Sequence, residues 1–274
     1  MTNKLNFEKP IIMGILNVTP DSFSDGGSYP STQSAVDKAL IMIKQGAKII
    51  DIGGESTRPG SERVSPLEQK RRIIDVISQL KKVISNDILI SVDTTSSEVA
   101  EAAIDLKVDM INDISGGTDD EDLISLVASH DLYYCIMHKK GEPKTMQDNP
   151  SYVDVLKEVK EFLLEQAIKA EQYGISKNKI ILDPGIGFGK NLKHNITLIS
   201  NISIFHSLGF PIMLGISRKK FIKDLSGNNE SKERLGGTIS SSLHAVTQGV
   251  QILRVHDVNE ISQSLKVFKS IKYK

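Results

Sequence analysis

A chain of 274 residues suits one α/β barrel, a domain of roughly 200 to 250 residues or more, and needs no disulfide staples to bury a core. Its 34 Lys plus Arg balance its 34 Asp plus Glu, which excludes a global field for nucleic acid or an anionic membrane and leaves any anion site local. The single cysteine, Cys135, lies in an apolar run, the first ten residues lack a signal-peptide core, and no apolar run reaches the ~18 residues of a membrane span, so a cytoplasmic protein with no membrane or nucleic-acid partner is expected.

In chain order, short runs rich in Ile, Val and Leu fall at 11–16, 47–52, 88–92, 109–113, 133–137, 179–183, 211–216 and 251–255. None alternates strictly, which predicts strands covered on both faces in a parallel sheet. Helical patterns lie between them. After the first run, Ala35, Ala39, Leu40 and Ile43 share a face and Gly46 ends the helix. Ser65, Pro66 and Glu68 predict a capped helix start, and Thr95 with Glu98 repeats the capping box. A long amphipathic stretch over 153–174 ends at Gly174, and further helices are predicted at 193–206, 231–248 and 258–272. Strands alternating with helices, without a break and without G-x-G-x-x-G after the first run, predict a (β/α)8 TIM barrel forming a single domain over 1–274.

Barrel active sites form where strands exit at their carboxyl ends. Those positions hold Asn17; Glu55, Thr57 and Arg58; Asp93; Asn112; His138; Asp183; Ser217, Arg218 and Lys219; Arg254 and His256. With Thr95 capping the helix that follows, the Asp93 carboxylate is spare. Asp183 also starts an Asp-Pro turn, and its weight as a site residue comes from Asp93 and Asn112 beside it. Two carboxylates and an amide converging on one cavity suit a flat heterocycle with several N–H donors. Arg254 and His256, two residues apart, share a face, and with Arg58, Arg218 and Lys219 they suit a phosphate near the rim. Asp257, three residues before Glu260, reads as a helix cap. Other chemistries fail: "DPGIGFGKN" has Asn191 where a P-loop needs Ser or Thr, no Cys/His set has zinc spacing, and "GISRK" lacks the second glycine of a nucleophile elbow.

The ordered motifs "ILNVTPDSFSDGG", "IDIGGESTRPG", "SVDT", "INDISGG", "MHKKGEPKTMQ", "LDPGIGFGK", "GISRKKFI" and "RVHDV" span about residues 11–258 and resemble the dihydropteroate synthase family of folate biosynthesis, the sulfonamide-sensitive enzymes. The resemblance implies a homodimeric TIM barrel. It also implies Mg2+-dependent condensation of 6-hydroxymethyl-7,8-dihydropterin pyrophosphate with 4-aminobenzoate, yielding 7,8-dihydropteroate and pyrophosphate. It places the pterin on Asp93, Asn112, Asp183 and Lys219, with Ile114 and Met137 as walls and Arg218 near the ring. Pyrophosphate and Mg2+ fall on Asn17, Arg254 and His256, with Asn17 as the metal ligand. Aminobenzoate falls on Thr57, Arg58, Pro59, Gly187, Phe188, Ser217 and Lys219, which moves Arg58 and Lys219 out of the phosphate set.

Under the same resemblance the polar loop after Asn17 is expected to act as a lid hinged at Gly26 and Gly27. Phe23 would cover the aminobenzoate and Asp25, more than Asp21, would face the developing cation. "MHKKG" carries Lys139 and Lys140 where the family often has a less charged pair, an expected change of surface charge. A methyltetrahydrofolate:corrinoid methyltransferase would share the pterin pocket but has no use for "STRPG" or the Arg-x-His pair.

Overall fold

A computed structural model describes residues 5–19, 31–56, 60–142, 144–227 and 230–272. The strands are β1 (Ile11–Asn17), β2 (Ile49–Gly53), β3 (Leu89–Asp93), β4 (Met110–Asp113), β5 (Tyr133–Met137), β6 (Ile180–Asp183), β7 (Met213–Gly215) and β8 (Ile252–Val255). All pair in parallel in the order β6-β5-β4-β3-β2-β1-β8-β7. A single Leu182–Ile212 bridge, with Leu182 N–H donating to Pro211 O at 2.9 Å, closes β6 onto β7. Each expected strand is present within two residues of its expected bounds.

The helices are α1 (Thr32–Gln45), α2 (Pro66–Val83), α3 (Ser97–Ile104), α4 (Asp122–Ser129), α5 (Val155–Gln172), α6 (Leu192–Ser200), α7 (Lys220–Ser226), α8 (Leu235–Thr247) and α9 (Val258–Lys272). The expected helix over 193–206 is broken into α6 and a 3-10 turn at Asn201, and α7 precedes the expected seventh-unit helix. Two capping expectations change. Ser65 does accept from Glu68 N–H, but the Glu68 carboxylate turns to Arg71 and Arg72 instead of closing the box. Thr95 caps nothing: α3 begins after Ser96, Ser97 N–H donates to the Asp120 carboxylate at 2.7 Å, and Glu98 pairs with Lys70. An acceptor from the next βα unit outcompetes the local one.

Side chains alternate across each strand, so one strand feeds two cores. Ile50 and Ile52 of β2, Ile90 and Val92 of β3, and Leu253 and Val255 of β8 face outward into the layer under the helices. Ile11, Met13, Ile49, Leu89, Met110, Tyr133, Cys135, Ile181, Met213 and Ile252 face inward and pack with Leu5, whose N–H donates to Tyr133 Oη at 3.1 Å. Cys135 is thus an inert interior thiol, its pKa raised by burial.

Candidate active site

One layer above that apolar floor the same inward positions become polar. Asp51, fully buried on β2, accepts from Arg254 Nε at 2.6 Å and from Asn112 Nδ2 at 3.0 Å. Asp93 accepts from Arg254 Nη2 at 2.6 Å. Register explains the meeting: Asp93 lies opposite Asn112, and Arg254 lies opposite Gly215. A Cβ at Gly215 would stand 3.9 Å from both the Arg254 side chain and Asp183 Oδ2, so the bare glycine leaves the space between them open.

Burial raises the Asp93 and Asp183 carboxyls above their ordinary range, with Arg254 opposing at Asp93 and Lys219 opposing at Asp183. Burial also works against the charge of Arg254, but Asp51 and Asp93 outweigh it and hold the guanidinium firmly cationic. Asp51 Oδ1, Ser91 Oγ and Asn112 Oδ1 are buried with no hydrogen-bond partner among the described residues. An unmet buried polar atom costs about 1–3 kcal/mol, so this layer is built to receive donors.

A cavity of about 580 Å³ meets the network at Arg254, and its wall also includes Asn17, Gly187, Phe188, Ser217, Arg218, Lys219 and His256. Lys219 Nζ donates to Ile186 O and sits 4.7 Å from the centre of the Phe188 ring. Burial lowers its pKa to about 8, with Asp183 pulling the other way. Ser217 Oγ accepts from His256 N–H at 3.2 Å and lies 3.1 Å from its Nδ1. Ile114, Met137 and Phe188 pack with Met146 into a small apolar cluster at the mouth.

Several sequence expectations find different partners. Arg218 lines the cavity, but its guanidinium forks onto Asp257, whose carboxylate is therefore an ion-pair partner and not the expected cap. Glu55 turns back on its own loop, accepting from Val64 N–H and Gln69 Nε2. Lys139 is no surface charge: its side chain is 7% exposed and pairs with Asp119 at 2.7 Å. Thr57, Arg58, Pro59, Asp21, Phe23, Asp25, Gly26 and Gly27 lie outside the described residues.

Sequence reasoning passed over Asp51, Gln147 and Asn195, and weighed Lys190 only within a failed phosphate loop. Asp51 carried a signal, a charge inside an otherwise apolar run. Gln147, Lys190 and Asn195 line the cavity beside Gly187, and Lys190 turns its amine into the protein, onto Gly185 O.

Residues 13–256 match the family described as pterin binding enzyme. The chain is 44% identical over 266 residues to the dihydropteroate synthase of Escherichia coli K12, covering 97% of this chain and 93% of the relative. To that of Synechocystis it is 44% identical over 260 residues, covering 95% and 89%. Among solved structures it superposes on Xanthomonas albilineans dihydropteroate synthase with 4-aminobenzoic acid at a TM-score of 0.92, with 38% identity over 98% of this chain and 96% of that one.

Proposed function

Because the chain belongs to the pterin binding enzymes, among the dihydropteroate synthases, we propose that its barrel mouth joins 6-hydroxymethyl-7,8-dihydropterin pyrophosphate to 4-aminobenzoate, releasing 7,8-dihydropteroate and pyrophosphate. The observation that carries this reading is the Arg254 guanidinium held between Asp51 and Asp93 at the base of the cavity. It stands where a buried acceptor set meets the cationic part of the wall.

The acceptors Asp93, Asn112 and Asp183 suit the ring N–H groups of a pterin, and the unmet Asn112 Oδ1 supports that assignment. Ile114 and Met137 would flank the ring, Phe188 and Lys219 the aminobenzoate. As the C–O bond to pyrophosphate breaks ahead of C–N bond formation, negative charge grows on the leaving group. Arg254 and His256 at the β8 exit are placed to meet it, and fixed cations in a dry site act more strongly than in water. The arylamine nitrogen then bonds the methylene carbon and loses one proton. A neutral arylamine nucleophile requires no strong general base, so the Ser217 hydroxyl beside His256 Nδ1 is not called on as a nucleophile.

Mg2+ keeps several waters and leans on substrate phosphates, and Asn17, in the same wall as Arg254 and His256, would offer it an amide oxygen. Its chemistry there would be to neutralise charge on the pyrophosphate. The family resemblance supports a homodimer in the cytoplasm as the working form. Incubation of the purified protein with Mg2+ and both substrates is expected to yield dihydropteroate; tight pterin binding without product would identify a catalytically silent pterin-binding protein instead.

A further inference from the structure

The loop between β6 and α6 is held in an unusual way. Gly185, Gly187 and Gly189 all have positive φ, at 68°, 84° and 62°, so the chain curls, and Gly185 O alone among the carbonyls from 185 to 189 accepts within the loop, from Phe188 N–H at 3.1 Å. Side chains take these carbonyls. Lys190 Nζ donates to Gly185 O at 2.9 Å and Phe188 O at 3.0 Å. Lys219 holds Ile186 O, Gln147 Nε2 holds Gly187 O at 2.6 Å, and Tyr152 Oη holds Gly189 O at 2.9 Å. Every carbonyl from 185 to 189 therefore accepts from a side chain.

Lys190 differs from the other donors in being 1% exposed, and its hydrogen-bond partners include no carboxylate. Its remaining contacts reach across to the end of β5: Nζ lies 2.8 Å from His138 Nδ1 and 3.4 Å from His138 O. Burial, then the Lys190 charge, pushes His138 down to about 2, so the ring is neutral, and burial likewise pushes the Lys190 amine well below its ordinary value, with Asp183 pulling the other way. The two loops also touch through backbone: a Cβ at Gly185 would meet His138 O at 1.9 Å, and one at Gly189 would meet Lys140 O at 2.0 Å. A buried amine is expensive unless hydrogen-bonded, and this one joins two strand exits whose loops wall the cavity.

We infer that Lys190 is a positioning residue for the arylamine: its buried amine ties the β5 exit to the β6 exit and so fixes Gly187 and Phe188 at the cavity wall. The inference rests on the reading of that wall as the aminobenzoate subsite. Carbonyls of Gly185, Phe188 and His138 thus gather around Lys190, the reverse of a phosphate loop, in which backbone N–H groups surround an anion.

The test uses the intact enzyme with Lys190→Met and Lys190→Gln, the second keeping an amide donor without the charge. In Lys190→Met, KM for 4-aminobenzoate is expected to rise about tenfold, since small misplacements of a positioned substrate are costly, while the Kd for the pterin pyrophosphate stays within about twofold. Lys190→Gln is expected to fall between, with a rise of about threefold, and it decides the matter if Lys190→Met does not fold. Hydrogen exchange is expected to rise over 185–191 and stay unchanged over 89–93. Equal loss of both substrates, or no change in either, overturns the inference. Failure of the wild-type protein to make dihydropteroate overturns the proposed function instead, and is seen before any variant is made.

Discussion

The two ends of the barrel interior are built on the same strands by the same alternation, yet they are chemically opposite. At the amino ends, Ile49, Leu89, Met110, Ile181 and Ile252 fill the barrel with apolar side chains. Two residues further along, the same strands present Asp51, Ser91, Asn112, Asp183 and Arg254. The lower layer stabilises by excluding water, while the upper layer carries buried charges and unmet acceptors, which stabilise little and cost much when empty. A fold can hold such a layer because the floor and the outer layer beneath the helices supply the surplus.

The largest effect that would break this contrast is at Arg254. Arg254→Ala is expected to lower kcat/KM by a hundredfold or more, on the order of 3 kcal/mol of lost charge stabilisation. It also leaves Asp51 and Asp93 buried without their cation, so pterin affinity and thermal stability should fall with it; loss of turnover alone would separate Arg254 from the carboxylate layer. Leu89→Ala, in the floor, is expected to cost about 2–5 kcal/mol in denaturant unfolding and to leave both KM values unchanged in the folded protein. Asp183→Asn should weaken pterin binding about tenfold, read by calorimetry, with the aminobenzoate KM little altered. The smallest effect is one of pH. Lys219 titrates near 8 because burial disfavours its charge, so its protonated fraction falls as pH rises through that value. The KM for aminobenzoate should climb on that alkaline side, and Lys219→Arg should abolish the climb.

The fold was legible because apolar runs and helix stops are local signals, and the strand exits followed once the barrel was inferred. Asp93, Asn112, Asp183 and Arg254 were found that way, as residues at a given place in a repeated unit. What escaped depended on partners distant in sequence. Arg218 meets Asp257, Asp51 meets Arg254, and Asp120 captures the start of α3 from the next unit. Lys190 was weighed only as part of a failed phosphate loop, since nothing local shows that Gly185 and Phe188 turn their carbonyls toward it.

The pairing of β1 with β8 has a consequence for synthesis. Ile11 and Ile252 are register partners, so the first strand made waits for the last before one of its edges is covered. At about 5–20 residues per second that interval is on the order of tens of seconds. During it β1 presents "IIMGIL" as an unpaired apolar edge, the kind of surface that recruits other chains. For a nascent polypeptide of this design, the hazard lies in the opening segment and ends only when the ribosome has delivered the closing one.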